Sequence, residues 1–252
     1  MNTRNNINEA PPLVYMRLAG LLSGGKDSVY AAHLAQKEHN LSYLVSLRSE
    51  NPDSYMFHTV NISLTKLQAD AWGIPYVEAE TKGVKEEELS DLKSALGTLD
   101  IEGVITGAIA SKYQADRIDG LCSELGLSHI HPLWGRERET LLYEFLDSGM
   151  EIIFSAVAAH GLDQTWLGEP LTSEKITRLK RLNQEYGVDM CGEGGEYESL
   201  VIYAPWFKKR IKINEAEKTW DGVSGRYHIR KACLVRATNI NHINHPNVRR
   251  TR

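Results

Sequence analysis

Ser23-Gly24-Gly25-Lys26-Asp27-Ser28 is a run whose residue types carry chemistry. Its glycines let backbone close on an anion with no side chain in the way. Ser23 and Ser28 add hydroxyl donors, and Lys26 adds a positive charge. Asp27 either orders the loop or holds magnesium. A second run, Cys191-Gly192-Glu193-Gly194-Gly195-Glu196-Tyr197-Glu198-Ser199, packs three carboxylates around glycines. Like charges so close repel unless a cation is near. That cation is magnesium, ammonium or a positive group on a substrate, and the residues do not choose among them. Cys191 is read as a buried structural thiol.

The elements around the first run place it. Arg17 to Leu22 is an apolar run that reads as a buried strand, and Val29 to Glu38 reads as a helix. A strand, a glycine turn and a helix in succession point backbone N–H groups and a helix dipole at one spot, which suits a phosphate. Gly20, Gly25 and Lys26 also fit the opening of a Walker A loop. Asp27 stands where that loop needs Ser or Thr, and Gly20 falls inside the strand, so the Walker reading is set aside.

Further strands read at 43–47, 75–79, 103–107 and from Ser128, alternating with helices at 62–72, 85–96 and 111–125. Such alternation predicts an α/β fold with a doubly wound parallel sheet over residues 16–133. Ligands of such sheets lie at the carboxyl ends of the strands. Gly107 and Ala108 end one strand there and are candidates to lie against a nucleotide. Gln114 and Arg117 share one face of the next helix. Arg136, after Gly135 at the junction, suits a phosphate or carboxylate. His58 beside Phe57 either contacts the nucleotide or is a structural histidine. The second half mixes helices at 136–148 and 173–186 with strands at 151–158, 200–203, 209–213 and 227–235. It is read as a smaller α+β domain, 134–236. Residues 1–15 and 237–252 are read as disordered, with Met16 as the natural start.

The 252 residues, 42% hydrophobic and 25% charged, are ordinary for a globular protein. A formal net charge of −4 gives no general attraction to nucleic acid. Three cysteines without C-x-x-C spacing fit a reducing, cytoplasmic setting. No transmembrane run or signal-peptide core is seen, so no membrane partner is expected. A homo-oligomer stays open.

The first run resembles the SGGxDS loop of the PP-loop ATP pyrophosphatases, which are adenine nucleotide alpha hydrolase-like in fold. Glu193-Gly194-Gly195-Glu196-Tyr197-Glu198 resembles the EGGEYE signature of the diphthine–ammonia ligase branch of that family. Met56-Phe57-His58, Gly107-Ala108-Ile109, Gln114-Ala115-Asp116-Arg117 and Pro132-Leu133-Trp134-Gly135-Arg136 match as well. Ser199 departs from the threonine of the signature but keeps a hydroxyl. The resemblance is to a short, archaeal-type form.

It implies ATP and Mg2+ as cofactors, with ammonium and elongation factor 2 carrying diphthine as partners. The reaction implied is amidation through an acyl-adenylate. Ser23, Gly24, Gly25, Lys26 and Ser28 would hold the departing pyrophosphate. Lys26, Asp27, Glu196 and Glu198 are the candidate catalytic groups. Trp134, Arg136, Glu193, Gly194, Gly195 and Tyr197 would bind the acceptor, the two aromatic rings facing its trimethylammonium group. The nearest rivals are a PP-loop ligase acting on tRNA and a non-catalytic nucleotide sensor. Paired cysteines and a basic stripe are missing for the first. The acidic run is unexplained by the second.

Overall fold

A computed structural model describes residues 15–49, 60–83, 87–237 and 248–250. The expectations for residues 1–14, for Met56-Phe57-His58 and for most of the tail lie outside them. The first half folds as β1 (Arg17–Leu21), α1 (Lys26–Gln36), β2 (Asn40–Ser49), α2 (Thr65–Trp72), β3 (Tyr76–Thr81), α3 (Glu87–Gly97), β4 (Gly103–Ile105), α4 (Lys112–Leu125) and β5 (Ser128–Ile130). Its strands form a parallel sheet in the order β3-β2-β1-β4-β5. Chain order reverses between β1 and β4, so their carboxyl ends flank a crevice.

The period of two in β1 divides the core. Leu18 joins a cluster with Val29, Ala32 and Leu44, on the side of α1. Ala19 joins Leu92, Leu96, Ile118 and Leu121, on the side of α3 and α4. Gly20 lies against α1: a Cβ there would stand 3.3 Å from the Ala32 methyl and 3.2 Å from Leu44 Cδ2. This glycine belongs to helix–sheet packing, which agrees with setting the Walker loop aside.

The second half adds α5 (Arg138–Asp147), β6 (Glu151–Val157), α6 (Ser173–Tyr186), β7 (Tyr197–Tyr203), β8 (Lys209–Trp220), β9 (Gly225–Arg236) and β10 (Val248–Arg250). They make a second sheet, β10-β8-β9-β6-β7, antiparallel except where β10 runs parallel to β8. The strand Val248–Arg250 falls in a stretch expected to be disordered. The β8–β9 hairpin is longer than its apolar pattern predicts. The mostly polar stretch Asn214–Lys218 is carried by ladder pairing with 227–231 through a bulge, with Ala216 alone buried.

The two sheets are not separate bodies in packing terms. One apolar cluster runs from Val29 and Trp72 through Phe145 to Ile176, Val201 and Tyr227. Backbone joins them too. Val201 N–H donates to Gly24 O at 3.0 Å, and Lys208 N–H to Ala71 O at 2.7 Å. The first glycine of the phosphate-type loop is therefore pinned to β7 of the other half.

Candidate active site

Residues 23–28 leave β1 and enter α1, whose first helical residue is Lys26. Gly24 has φ +89, a left-handed backbone only glycine holds without strain. Gln68 on α2 braces the turn, its Nε2 donating to Gly24 O at 2.9 Å and to Val201 O at 2.8 Å. Ser28 Oγ accepts from Ser23 N–H at 3.3 Å and donates to Gly25 O at 3.1 Å. Gly107 lines the apolar cavity described below, and its missing side chain also serves the packing. A Cβ there would lie 2.6 Å from the backbone of Asp27 and Ser28, so the glycine lets β4 approach the loop itself.

Lys26 joins the two motifs. Its side chain is almost wholly buried. Nζ donates to Asp27 Oδ2 at 2.9 Å and to Cys191 O at 2.5 Å, and lies 5.0 Å from the centre of the Tyr197 ring. Its N–H donates to Ser199 Oγ at 3.2 Å, which shows what the retained hydroxyl does. Burial works against the ammonium, but the groups around it, Asp27 foremost, outweigh it and hold the pKa well above the usual lysine value. Burial pushes the Asp27 carboxyl up, against the pull of Lys26. Asp27 Oδ1 is buried and makes no hydrogen bond.

The acidic run divides by direction. Glu193 faces Asp27, and its Oε2 accepts from Ala110 N–H at 3.2 Å. Burial first, then Asp27, pushes its carboxyl up. Glu198 accepts from Val60 N–H at 2.8 Å, and burial pushes it up as well. Glu196 does not join them. Its Oε1 accepts from Asp189 N–H at 2.9 Å and its Oε2 from Gly194 N–H at 2.8 Å, so both oxygens are spent on bracing its own loop. Asp189 does the same from the other side, accepting from Cys191 N–H at 2.8 Å and Glu193 N–H at 3.3 Å. The sequence reading missed Asp189. An Asp three positions before a tight glycine run, bonding the N–H two residues on, is the pattern of an Asx-turn, and that signal is in the sequence.

The other candidate side chains take the following places. Tyr197 is buried, its OH donates to Met190 O at 2.7 Å, and the cation over its ring is Lys26. Trp134 is 36% exposed and packs on His131, away from Tyr197 and from both cavities described below. Arg136 pairs with Glu144 on α5 at 2.7 Å and does not reach the crevice. Arg117 lies over the Tyr113 ring and lines neither cavity. Cys191 is buried as expected, and burial pushes its thiol up to about 12, which disfavours a reactive thiolate.

Two adjoining cavities share Ser23, Asp27, Gln114 and Glu193. One, of about 220 Å³, is walled by Leu21, Val45, Leu47, Leu92, Ala108 and Ile118 at the ends of β1, β2 and β4. The other, of about 380 Å³, is polar and lies between residues 23–27 and 191–199. Gly194, Gly195, Tyr197 and Glu198 line it, as does Ser111, the N-cap of α4. The apolar space suits a base and sugar. The polar space, with helix N-termini and Lys26, suits phosphates and a reacting group. Asp27 Oδ1 and Glu193 are hard oxygen ligands of the kind Mg2+ takes.

Glu193→Gln tests the charge crowding. A raised carboxyl pKa means the folded chain holds the proton more tightly than the unfolded one. Stability from this group therefore falls as pH rises from about 4.5 through the raised value. Glu193→Gln is expected to melt roughly 1–4 °C higher than wild type at pH 7, with no gain at pH 4. An equal or lower melting temperature at pH 7 would show that Glu193 is not strained by its charge.

A Rossmann-type parallel sheet with a glycine loop at the β1–α1 turn and an adjoining apolar cavity is the architecture of the PP-loop class. Models of the diphthamide synthase N-terminal domain and C-terminal domain match residues 16–129 and 137–235. The chain is 36% identical over 226 residues to a diphthine–ammonia ligase of Bos taurus, covering 80% of this chain and 84% of that protein. One from Rattus norvegicus is 38% identical over the same shares. One from Saccharomyces cerevisiae is 33% identical over 82% of this chain but only 36% of its own length. The chain belongs to the diphthine–ammonia ligase family. A solved structure described as a predicted subunit of tRNA methyltransferase from Methanocaldococcus jannaschii is 16% identical with a TM-score of 0.40, covering 76% of this chain and 98% of that one, too slight a likeness to carry a functional reading. Among the described residues no helix is long and apolar enough to cross a membrane.

Proposed function

We propose that the protein amidates diphthine on elongation factor 2, using ATP and ammonium. The observation that carries this is the clamp of Lys26 on Cys191 O and Ser199 Oγ, which makes the phosphate-type loop and the acidic loop walls of one cavity. A carboxylate does not react with ammonia until one oxygen becomes a leaving group. In the proposed reaction a diphthine carboxylate oxygen attacks the α-phosphorus of ATP. The bond to the bridging oxygen breaks and pyrophosphate leaves. Ammonia then attacks the acyl carbon, AMP departs, and the amide remains after proton loss.

The work of this chain is mainly placement and charge neutralisation. The amides of Gly24 and Gly25 and the hydroxyls of Ser23 and Ser28 bind the departing pyrophosphate. The Lys26 ammonium supplies the positive field beside them. Asp27 and Glu193 would hold Mg2+, whose chemistry is to offset phosphate charge. Glu198, whose pKa is raised by burial, would take the proton that ammonium must lose. The test is pyrophosphate release by the wild-type protein with ATP, diphthine-bearing factor and ammonium. Release is expected only with the acceptor, and AMP with amide only when ammonium is added. Release that ignores the acceptor would refute the ligase reading.

The division of roles among the acids has its own test. Glu198→Gln keeps an acceptor for Val60 N–H and is expected to lower turnover about 10- to 100-fold while melting holds or rises at pH 7. Glu196→Ala leaves two loop N–H groups unpaired and is expected to cost about 1–3 kcal/mol of stability. If Glu196→Ala melted like wild type while turnover vanished, Glu196 would be a reacting group after all.

A further inference from the structure

One residue that walls the apolar cavity, Thr106, heads a chain of three side chains that the proposed chemistry does not use. Thr106 follows β4 and lines that cavity. Its Oγ1 is 2.8 Å from His129 Nε2, and His129 Nδ1 is 2.6 Å from Asp119 Oδ1. His129 stands on β5 with its side chain 4% exposed, whereas Asp119 on α4 is half exposed. His131 meets the His129 ring edge-on at 4.9 Å and is the other titratable group facing it. Asp119, His129 and His131 bring possible metal-ligand atoms within 4.8 Å of one another. Both nitrogens of His129 are already hydrogen-bonded, so the cluster forms a relay and not an open metal site.

The relay has a direction. An ionised carboxylate only accepts, so His129 Nδ1 donates to Asp119. Burial holds the ring's pKa below the ordinary 6.5, so it is neutral at pH 7 and Nε2 is its acceptor. Thr106 must then donate its O–H to Nε2, which leaves Oγ1 as an acceptor toward the cavity. A fixed acceptor matters for a ligand group that donates and cannot reverse. A sugar hydroxyl can reverse, but an exocyclic amine cannot. Ser23, Asp27, Gln114 and Glu193 also line the polar cavity, and Thr106 does not.

We propose that Thr106 Oγ1 accepts a hydrogen bond from the 6-amino group of adenine, with His129 and Asp119 as positioning residues that hold it in the accepting orientation. This rests on the reading of the cavity as the ATP site. It would make the relay the device that separates adenine from 6-oxopurines.

The experiment titrates ATP, inosine triphosphate, 2′-deoxy-ATP and 3′-deoxy-ATP into wild type, Thr106→Ser and Thr106→Val, followed by calorimetry. Wild type at pH 7.5 is expected to bind ATP about 5- to 30-fold more tightly than inosine triphosphate. Thr106→Val should lose that factor toward ATP and bind the two alike, and Thr106→Ser should restore the preference. Asp119→Ala frees the ring to take the other tautomer and should shrink the preference with the fold intact. As pH falls through the ring's lowered pKa, which lies below 6.5, the ring donates from both nitrogens and Thr106 turns its O–H to the cavity. The wild-type preference should then shrink, and Thr106→Val should show no such change. Equal binding of ATP and inosine triphosphate by wild type overturns the proposal. So does a preference that survives in Thr106→Val, or one lost only with a deoxy sugar. No ATP binding by wild type would sink the nucleotide reading itself, a different result.

Discussion

Lys26→Met is expected to lower turnover at least about 1,000-fold and to cost about 3 kcal/mol of stability. The two losses have separate causes. Turnover falls because the ammonium is the positive charge that stands where pyrophosphate would leave. Stability falls because the substitution leaves Asp27 beside a cavity wall with no cation, and Cys191 O without its 2.5 Å donor. Breaking one side of a buried pair costs more than the pair contributes, since an uncompensated charge remains. Methionine keeps most of the apolar contact with the Tyr197 ring. Asp27→Asn is the companion variant. Its side-chain oxygen still accepts from Nζ, but it leaves the buried ammonium without its counter-charge, so melting should fall here too. Its turnover should fall with a loss of Mg2+ dependence. Chemical denaturation and pyrophosphate release measure both variants. A Lys26→Met protein with wild-type turnover would remove the lysine from the mechanism.

The first motif was legible because its function is written into backbone. A loop that presents N–H groups needs glycines at fixed places and a helix after them, and residues 23–28 show both in a row. The acidic motif was legible as a site but not residue by residue. Glu193, Glu196 and Glu198 are the same kind of group in sequence, and only folding shows that Glu196 turns back onto Asp189 and Gly194 N–H. Tyr197 was read as facing a cation, which is so, but the cation lies 171 positions earlier in the chain at Lys26. Trp134 and Arg136 seemed to face the crevice because they flank the junction. The direction of α5 decides otherwise, since Glu144 lies two turns along it and takes the guanidinium. The sharing of one core between the halves was also hidden. Nothing local in Gly24 or Ala71 announces that its carbonyl meets β7 or Lys208.

Gly25→Val and Gly107→Ala are expected to fail in opposite ways, and the contrast separates binding from folding. Gly25 has φ −76 and ψ 166, an extended backbone that any residue adopts. A Cβ there would meet Ser199 O at 3.4 Å and Ser23 Oγ at 3.5 Å, ordinary contacts. The branched methyls of valine would extend into the polar cavity where the phosphates are placed. Gly25→Val should fold and melt within about 1 kcal/mol of wild type yet bind ATP at least about 100-fold more weakly, since 2.7 kcal/mol or more of phosphate contact is lost. At Gly107 even one methyl would stand 2.6 Å from backbone atoms of Asp27 and Ser28, which cannot swing aside as a side chain can. Gly107→Ala must push β4 away from the α1 turn, at a cost of about 2–4 kcal/mol, and ATP affinity should fall only as the fold does. Calorimetric titration and thermal melting of both variants decide the matter. Full ATP affinity in a folded Gly25→Val protein would place the phosphates elsewhere. A Gly107→Ala protein that melts like wild type would show that the close approach of β4 to the loop is not needed to build the site.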